Sequence, residues 1–257
     1  MAQRKRNRRR KKPVLTPNKP LVKYGLISFN SIGWGNPTIN QHLTMKEKGE
    51  LDDLLPDLYK NPFPPNESDE TLSELKYIKT KLARLKNKET YEECTAIDVN
   101  LGKYLNTICE NAEIYGIYDL IIDVDEKVLD SIILKTKYHY NRARPSQLSF
   151  YFINQEELNP LKSCSAMTPA YPSGHSLIAL VICDILAHHF PEHKEMFNTI
   201  QRRVAISRII IGVHYPSDNE FSSEIAKKII SHPKMRELYY DKPWETLINE
   251  VDRDVPE

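Results

Sequence analysis

Three separated stretches hold the residues whose types and spacing suit chemistry: KYHYNRARP from Lys137, AYPSGHS from Ala170, and SRIIIGVHYPSD from Ser207. Lys137 and Arg144 are seven residues apart, about two helical turns, so one helical face can carry both. Pro145 pushes Arg144 out of helical geometry, to where the chain leaves the helix. A solvated basic helix end has the same residues, since cations favour helix C-termini. In the second stretch Ser173 suits an N-cap, and Pro172 and Gly174 read as a turn before a helix with His175 in its first turn. Free N–H groups and the positive end of the helix dipole make such a terminus an anion site, although an ordinary capped turn looks alike. In the third stretch Arg208 sits beside Ile209, Ile210 and Ile211, where a buried charge needs an anionic partner. His214 and Asp218 are four residues apart, with Pro216 starting a helix between them. Asp218 can accept from one ring nitrogen while the other faces outward as nucleophile or base; a structural hydrogen bond uses the same pair.

Taken together, a lysine, two arginines, a helix N-terminus and two histidines are short of negative charge, and phosphate is the usual anion to supply it. The His–Asp pair supplies an oriented nucleophile, and a second histidine near a helix start supplies an acid. Cations and amides on the equatorial oxygens complete the minimum for in-line phosphoryl transfer without a metal.

The order K-x6-RP, then PSGH, then SR-x5-H-x3-D resembles the three-part signature of the type 2 phosphatidic acid phosphatase and vanadium haloperoxidase superfamily. Each position is filled: Lys137, Arg144 and Pro145; Pro172, Ser173, Gly174 and His175; Ser207, Arg208, His214 and Asp218. The likeness runs from 137 to 218, about a third of the chain. YPSGHS and SRIIIGVHYPSD are most like the bacterial class A non-specific acid phosphatases. The resemblance implies an all-α helical bundle and a phosphomonoester hydrolase. His214 would attack phosphorus and carry a phosphohistidine, oriented by Asp218. His175 would protonate the leaving alkoxide and then deprotonate water. Lys137, Arg144, Ser173, the Gly174 amide and Arg208 would bind phosphate oxygens. It implies no metal and no cofactor, with vanadate as an inhibitor; because that mechanism needs His214 neutral and His175 protonated together, a mildly acidic optimum is expected.

Two other readings use the same residues. One is a vanadate-dependent haloperoxidase, with vanadate as cofactor, although those relatives are generally longer. The other is a nucleic-acid or anionic-surface binding protein with a basic N-terminal arm and a non-catalytic phosphate-binding domain.

The elements that must position these groups read as helices. Apolar residues recur at helical spacing at Leu72, Leu75, Ile78, Leu82 and Leu85 after a capping Ser68. Further helices are expected over Ala96–Ile114, from Asp125 to about Tyr140, over the run behind PSGH as far as Phe190, from Glu192 to about Ile211, and from Ser217 to about Ser231. The run Leu177–Leu186 is almost wholly apolar except for Asp184, and so reads as a buried helix. The expected division is a disordered basic arm over 1–20, an irregular extension over 21–66, a helical phosphatase domain over 67–233 and a tail over 234–257 that adds short helices.

The net charge of +1 conceals an asymmetry. Eight Lys or Arg lie between Arg4 and Lys12; without them 28 basic residues face 35 acidic ones. The arm suits salt-dependent contact with nucleic acid or an anionic surface through residues 4–12. No apolar core follows it, so it is not read as a signal peptide. No stretch reaches the about 18–20 apolar residues needed to span a bilayer. A soluble cytoplasmic enzyme, unlike the exported acid phosphatases, is therefore expected, with either a narrower substrate range or action inside an infected or specialised cell. A homo-oligomer is a further expectation from the resemblance.

The four cysteines form no CxxC pair and read as free thiols, with Cys164 inert. His188 and His189 suit a helix C-terminus better than a metal site. Arg142 suits either a wider phosphate site or an exposed position. The tyrosines of the first two stretches wall a pocket or pack in the core.

Overall fold

The computed structural model of the chain describes residues 28–29, 49–152 and 158–253, with Phe150 and 250–253 described by backbone alone. The expected basic arm and most of the extension before residue 49 lie outside the described residues. Among those described the protein is all-α; one isolated antiparallel bridge, Ser28 to Arg142, is the strand-type pairing there.

Local chemistry sets the helix starts. Helix α1, Asp69–Leu82, begins where the Ser68 side chain accepts from Thr71 N, with Asp69 and Glu70 in its first turn and Lys79 and Lys81 in its last. Helix α2, Lys88–Val99, is capped by Asn87, and α3, Leu101–Glu110, by Asn100. The periodicity predicts one helix over Ala96–Ile114; the structure has two. Asn100 leaves helical geometry (φ −156°, ψ 89°), and its side chain accepts from Lys103 N at 2.8 Å, restarting the chain in a new direction. Helix α4, Ile117–Val124, starts after left-handed Gly116 and runs through a π-turn, Asp125–Leu129, into α5, Asp130–Tyr140. The third predicted helix therefore begins about two turns earlier than its polar start suggests.

Helix α6, Pro145–Phe152, was not expected from the periodicity. Its proline sits at the first helical position, where a missing N–H costs nothing. Helix α7, Gly174–His189, is the buried helix behind PSGH. Helices α8, Lys194–Ile210, and α9, Pro216–Ile230, pack against it on either side. Leu177, Ala179, Val181, Ile182, Cys183, Ile185 and Leu186 of α7 are all fully buried. Each large aliphatic side chain there contributes about 1.5–3 kcal/mol, so the helix and its N-terminus are held firmly in place.

The tail adds Pro233–Met235, a π-turn Arg236–Tyr240 and helix α10, Trp244–Arg253. Met235, Tyr239 and Leu247 are buried in the main core. His188 Nε2 and His189 Nε2 meet the carbonyls of Tyr240 and Tyr239 at 3.0 and 2.8 Å, and Tyr240 Oη donates to Asp184 at 2.8 Å. These histidines thus end α7 and tether the tail. Among the described residues no helix is long and apolar enough to cross a membrane. All four cysteines are free, and Cys164 alone of them is exposed.

Candidate active site

Helix α5 ends one turn after Lys137, because Asn141 takes a left-handed conformation (φ 50°) and its N–H closes on Lys137 O at 2.8 Å. Lys137 and Arg144 therefore do not share a helical face, as their spacing suggests. The turn over 141–144 swings Arg144 back alongside. That turn is clamped from outside: Phe29 N donates to Asn141 O at 2.9 Å, and Gln147 Nε2 donates to Phe29 O at 3.1 Å.

Lys137 Nζ donates to Pro169 O at 2.6 Å. Arg144 is enclosed by neutral acceptors: Nε donates to Thr168 O and Nη1 to Val213 O, both at 2.8 Å, and Nη2 to Ser165 O at 3.2 Å. Among the described residues neither cation meets a carboxylate. Burial and the charge of Arg144 push the Lys137 ammonium well below its usual range. Burial also pushes Arg144 down to about 9, with Arg208 adding to the fall. Both shifts come first from burial, which disfavours a charge held away from water.

Arg208 has no exposed surface. Its Nη1 pairs with Asp98 Oδ1 at 2.8 Å, and its Nη2 donates to Ser165 Oγ at 2.7 Å, while Nε has no partner among the described residues. Asp98, on α2, was not singled out from the sequence. It lies 110 residues before Arg208, and an isolated acid in an amphipathic helix carries no signal. Burial acts to raise its carboxyl, but Arg208 and the hydroxyls of Ser163 and Ser165 outweigh that and hold it low.

Ser173 stands at the N-cap of α7 but does not cap it; no side-chain hydrogen bond reaches the first-turn amides. Its Oγ lies 2.9 Å from Ser176 Oγ, and Ser176 Oγ donates onward to Asn219 Oδ1 at 2.7 Å. The Ser173 hydroxyl hydrogen is thus directed to Ser176 and must rotate to meet an anion. A Cβ on Gly174 would approach Ile133 Cγ2 to 3.3 Å and Lys137 Cε to 4.0 Å, so glycine lets the helix start sit close to the lysine. His175 follows, and burial together with Arg208 pushes its imidazole down to about 3.

His214 is buried, with Nδ1 2.9 Å from Asp218 Oδ2 and Nε2 2.9 Å from Arg144 Nη1. A carboxylate accepts and a guanidinium donates, so the ring is neutral, with hydrogen on Nδ1 and a lone pair on Nε2. Burial and the charges of Arg144, Lys137 and Arg208 hold its pKa well below the usual range. Asp218 Oδ2 also accepts from Tyr215 N at 2.9 Å.

Arg142 departs from both alternatives read from the sequence: it neither faces the anion site nor solvent. It is buried, donates to Asp218 Oδ1 at 2.7 Å and Ser217 Oγ at 2.8 Å, and stacks over the Tyr215 ring at 4.0 Å. Tyr140 and Tyr171 pack with Phe63 and Phe221 as a ring cluster, and Tyr171, Phe63 and Phe221 also line a shallow surface pocket. A cavity of about 780 Å³ opens beside Arg144, lined by Leu158, Leu161, Met167, Tyr151 and Val213 among others.

An all-α domain that gathers three buried cations and a neutral histidine paired with an aspartate around an uncapped helix N-terminus has the form of a phosphatase-type phosphoryl-transfer protein. Residues 127–228 match the family model of the PAP2 superfamily, a span that contains all three motif stretches. Over this segment the chain is similar to the type 2 phosphatidic acid phosphatase and haloperoxidase superfamily.

Proposed function

We propose that the chain is a metal-independent phosphomonoester hydrolase of the acid phosphatase type that works through a phosphohistidine. The observation that carries this reading is the pairing of two buried cations, Lys137 and Arg144, with neutral acceptors alone, next to Arg208 Nε, which has no partner among the described residues. A phosphoryl group would supply acceptors to all three and to the Gly174 amide.

The His214 Nε2 lone pair attacks phosphorus as the ester P–O bond breaks. His175 gives its proton to the departing alkoxide. It then takes a proton from water, whose oxygen attacks phosphorus and breaks the P–N bond. Inorganic phosphate leaves, and His214 regains its lone pair. Asp218 stays ionised throughout and holds hydrogen on Nδ1. The cavity beside Arg144 receives the leaving group, and its apolar lining favours carbon-rich esters.

The test is turnover of an aryl phosphate by the full chain in the presence of a chelator, with vanadate as inhibitor. Turnover should vanish in His214→Ala, and acid-labile radiolabel from a labelled ester should be trapped on His214. Turnover that survives His214→Ala, or that stops with the chelator, overturns the reading.

A further inference from the structure

Asp218 is wholly buried and has two oxygens to satisfy. Oδ2 accepts from His214 Nδ1 and Tyr215 N. Oδ1 accepts from Arg142 Nη1 at 2.7 Å, its one donor among the described residues. Arg142 reaches in the other direction to Glu74, whose Oε2 lies 3.2 Å from Nη2. Glu74 comes from α1, outside the segment matched by the family. It also takes both groups of Ser217: the backbone N–H at 2.6 Å on Oε1 and the hydroxyl at 2.9 Å on Oε2. Ser217 N is among the first amides of α9, which has no intrahelical acceptor. Glu74 thus fixes the start of the helix that carries Asp218, and fixes the arginine that binds Asp218.

We propose that Arg142, held by Glu74, is a positioning residue for catalysis: it keeps Asp218 a carboxylate with Oδ2 turned to His214, and so keeps the His214 lone pair on Nε2. The inference rests on the reading of His214 as nucleophile. The physical step is tautomer control. A buried carboxylate deprived of its cation takes up a proton, because desolvation favours the neutral form. A protonated Asp218 donates to Nδ1 instead of accepting from it. The ring hydrogen then moves to Nε2, and the attacking lone pair is gone. Arg142 achieves this without touching the phosphate side of His214, where Lys137, Arg144 and Arg208 lie.

Burial tends to raise both carboxyls, and Arg142 opposes that at each. One arginine between two carboxylates leaves the cluster with an excess negative charge. That charge faces the Nδ1–H edge of His214 and stabilises the positive charge that develops on the ring as Nε2 attacks.

The experiment compares wild type, Arg142→Met and Arg142→Lys in the full chain by three measurements. Nitrogen NMR of labelled histidine reads the His214 tautomer and needs no turnover. Inorganic phosphate affinity reads the cradle. Aryl phosphate kinetics read kcat. Wild type should hold hydrogen on Nδ1. Arg142→Met should shift hydrogen to Nε2 and lower kcat on the order of 10²-fold or more, with phosphate affinity within about threefold of wild type. Arg142→Lys keeps one charged donor for Asp218, and should retain the Nδ1–H tautomer and recover at least about tenfold of the lost kcat.

An unchanged tautomer and kcat in folded Arg142→Met overturn the proposal. So does a kcat loss matched by an equal loss of phosphate affinity, which would make Arg142 a phosphate ligand. If Arg142→Met does not fold, Arg142→Lys decides: a tautomer lost despite the retained charge overturns the proposal. If wild type turns over no phosphate ester, the phosphatase reading fails by itself, and the tautomer measurement still judges the relay.

Discussion

Arg144 Nη1 stands 2.9 Å from His214 Nε2, so a buried guanidinium and the unprotonated ring nitrogen satisfy each other. A substrate oxygen that draws Nη1 away fills the cation's need and uncovers the lone pair in the same movement. On the proposed mechanism water gains little from that nitrogen, because it is uncovered when a phosphoryl group is beside it.

Arg144→Lys keeps the charge but cannot hold Val213 O, Thr168 O and a phosphate oxygen from one planar fork. The expected outcome is a fall in kcat/KM on the order of 10²-fold, with weaker inorganic phosphate binding. Steady-state kinetics and calorimetry check it. An Arg144→Lys enzyme within a few-fold of wild type in both would remove Arg144 from the cradle.

The pH profile expected of the proposed mechanism follows from the electrostatics of the site. His175, pushed down to about 3, is neutral near pH 7, yet the proposed mechanism has it donate a proton. That proton has to arrive with a monoanionic ester, or be taken up as a dianion binds and raises the imidazole. Phosphomonoesters lose their second proton near about pH 6. As pH rises past that point the monoanion disappears, and the depressed Lys137 loses charge at higher pH. Both effects lower kcat/KM. His214, held well below its usual range, stays unprotonated on the mildly acidic side and does not limit the rate there. The expected profile peaks below neutrality and falls toward pH 9. Phosphate binding should consume protons, measurable by calorimetry in buffers of different ionisation heat. A rate that climbs steadily from pH 5 to pH 9 refutes this.

Asp98→Asn tests the aim of Arg208. The asparagine keeps the size but removes the charge that faces Nη1 at 2.8 Å. A buried cation that loses its counter-ion costs on the order of 3–5 kcal/mol, so the melting temperature should drop. KM for phosphate esters should rise about tenfold or more, since a 1.4 kcal/mol loss of aim is already tenfold. The folded-state pKa of Asp98 is lowered, so its contribution is complete above the unfolded value near 4 and lost as pH falls through the lower, folded one. Asp98→Asn should therefore narrow the stability gap to wild type only in strong acid. A gap that is constant from pH 7 to pH 2 would contradict the pairing.

What was legible in the sequence is what depends on local pattern. The six helices foreseen from apolar spacing are present as helical stretches, and the residues of the three motifs come together at the start of α7. What was not legible depends on contacts across the chain. Asn100 breaks a continuous apolar stripe by capping, and the stripe cannot report that. Asp98 and Glu74 carry no signal in the sequence, Arg142 suits two positions there and takes neither, and only the packing of α1 and α2 against the motif segments gives them these partners. The spacing of Lys137 and Arg144 suggested a shared helical face, but Asn141 ends the helix between them.

Gly212 offers the clearest test of backbone control. It ends α8 in left-handed geometry (φ 78°), with Gly212 N bonded to Ile209 O at 3.0 Å and Val213 N to Arg208 O at 3.2 Å. That is a Schellman ending, which glycine favours because it has no Cβ to strain. A Cβ here would also meet Leu82 Cδ2 at 3.0 Å and Pro160 Cβ at 3.2 Å. The left-handed conformation alone costs a non-glycine residue about 1–2 kcal/mol. Gly212→Ala should therefore lower the melting temperature by several degrees. The same turn sets His214 relative to Arg208, whose carbonyl also accepts from His214 N at 3.3 Å. kcat should fall along with stability, even well below the new melting temperature. A Gly212→Ala enzyme that is less stable but fully active at low temperature would show that this turn supports the fold without aiming the nucleophile.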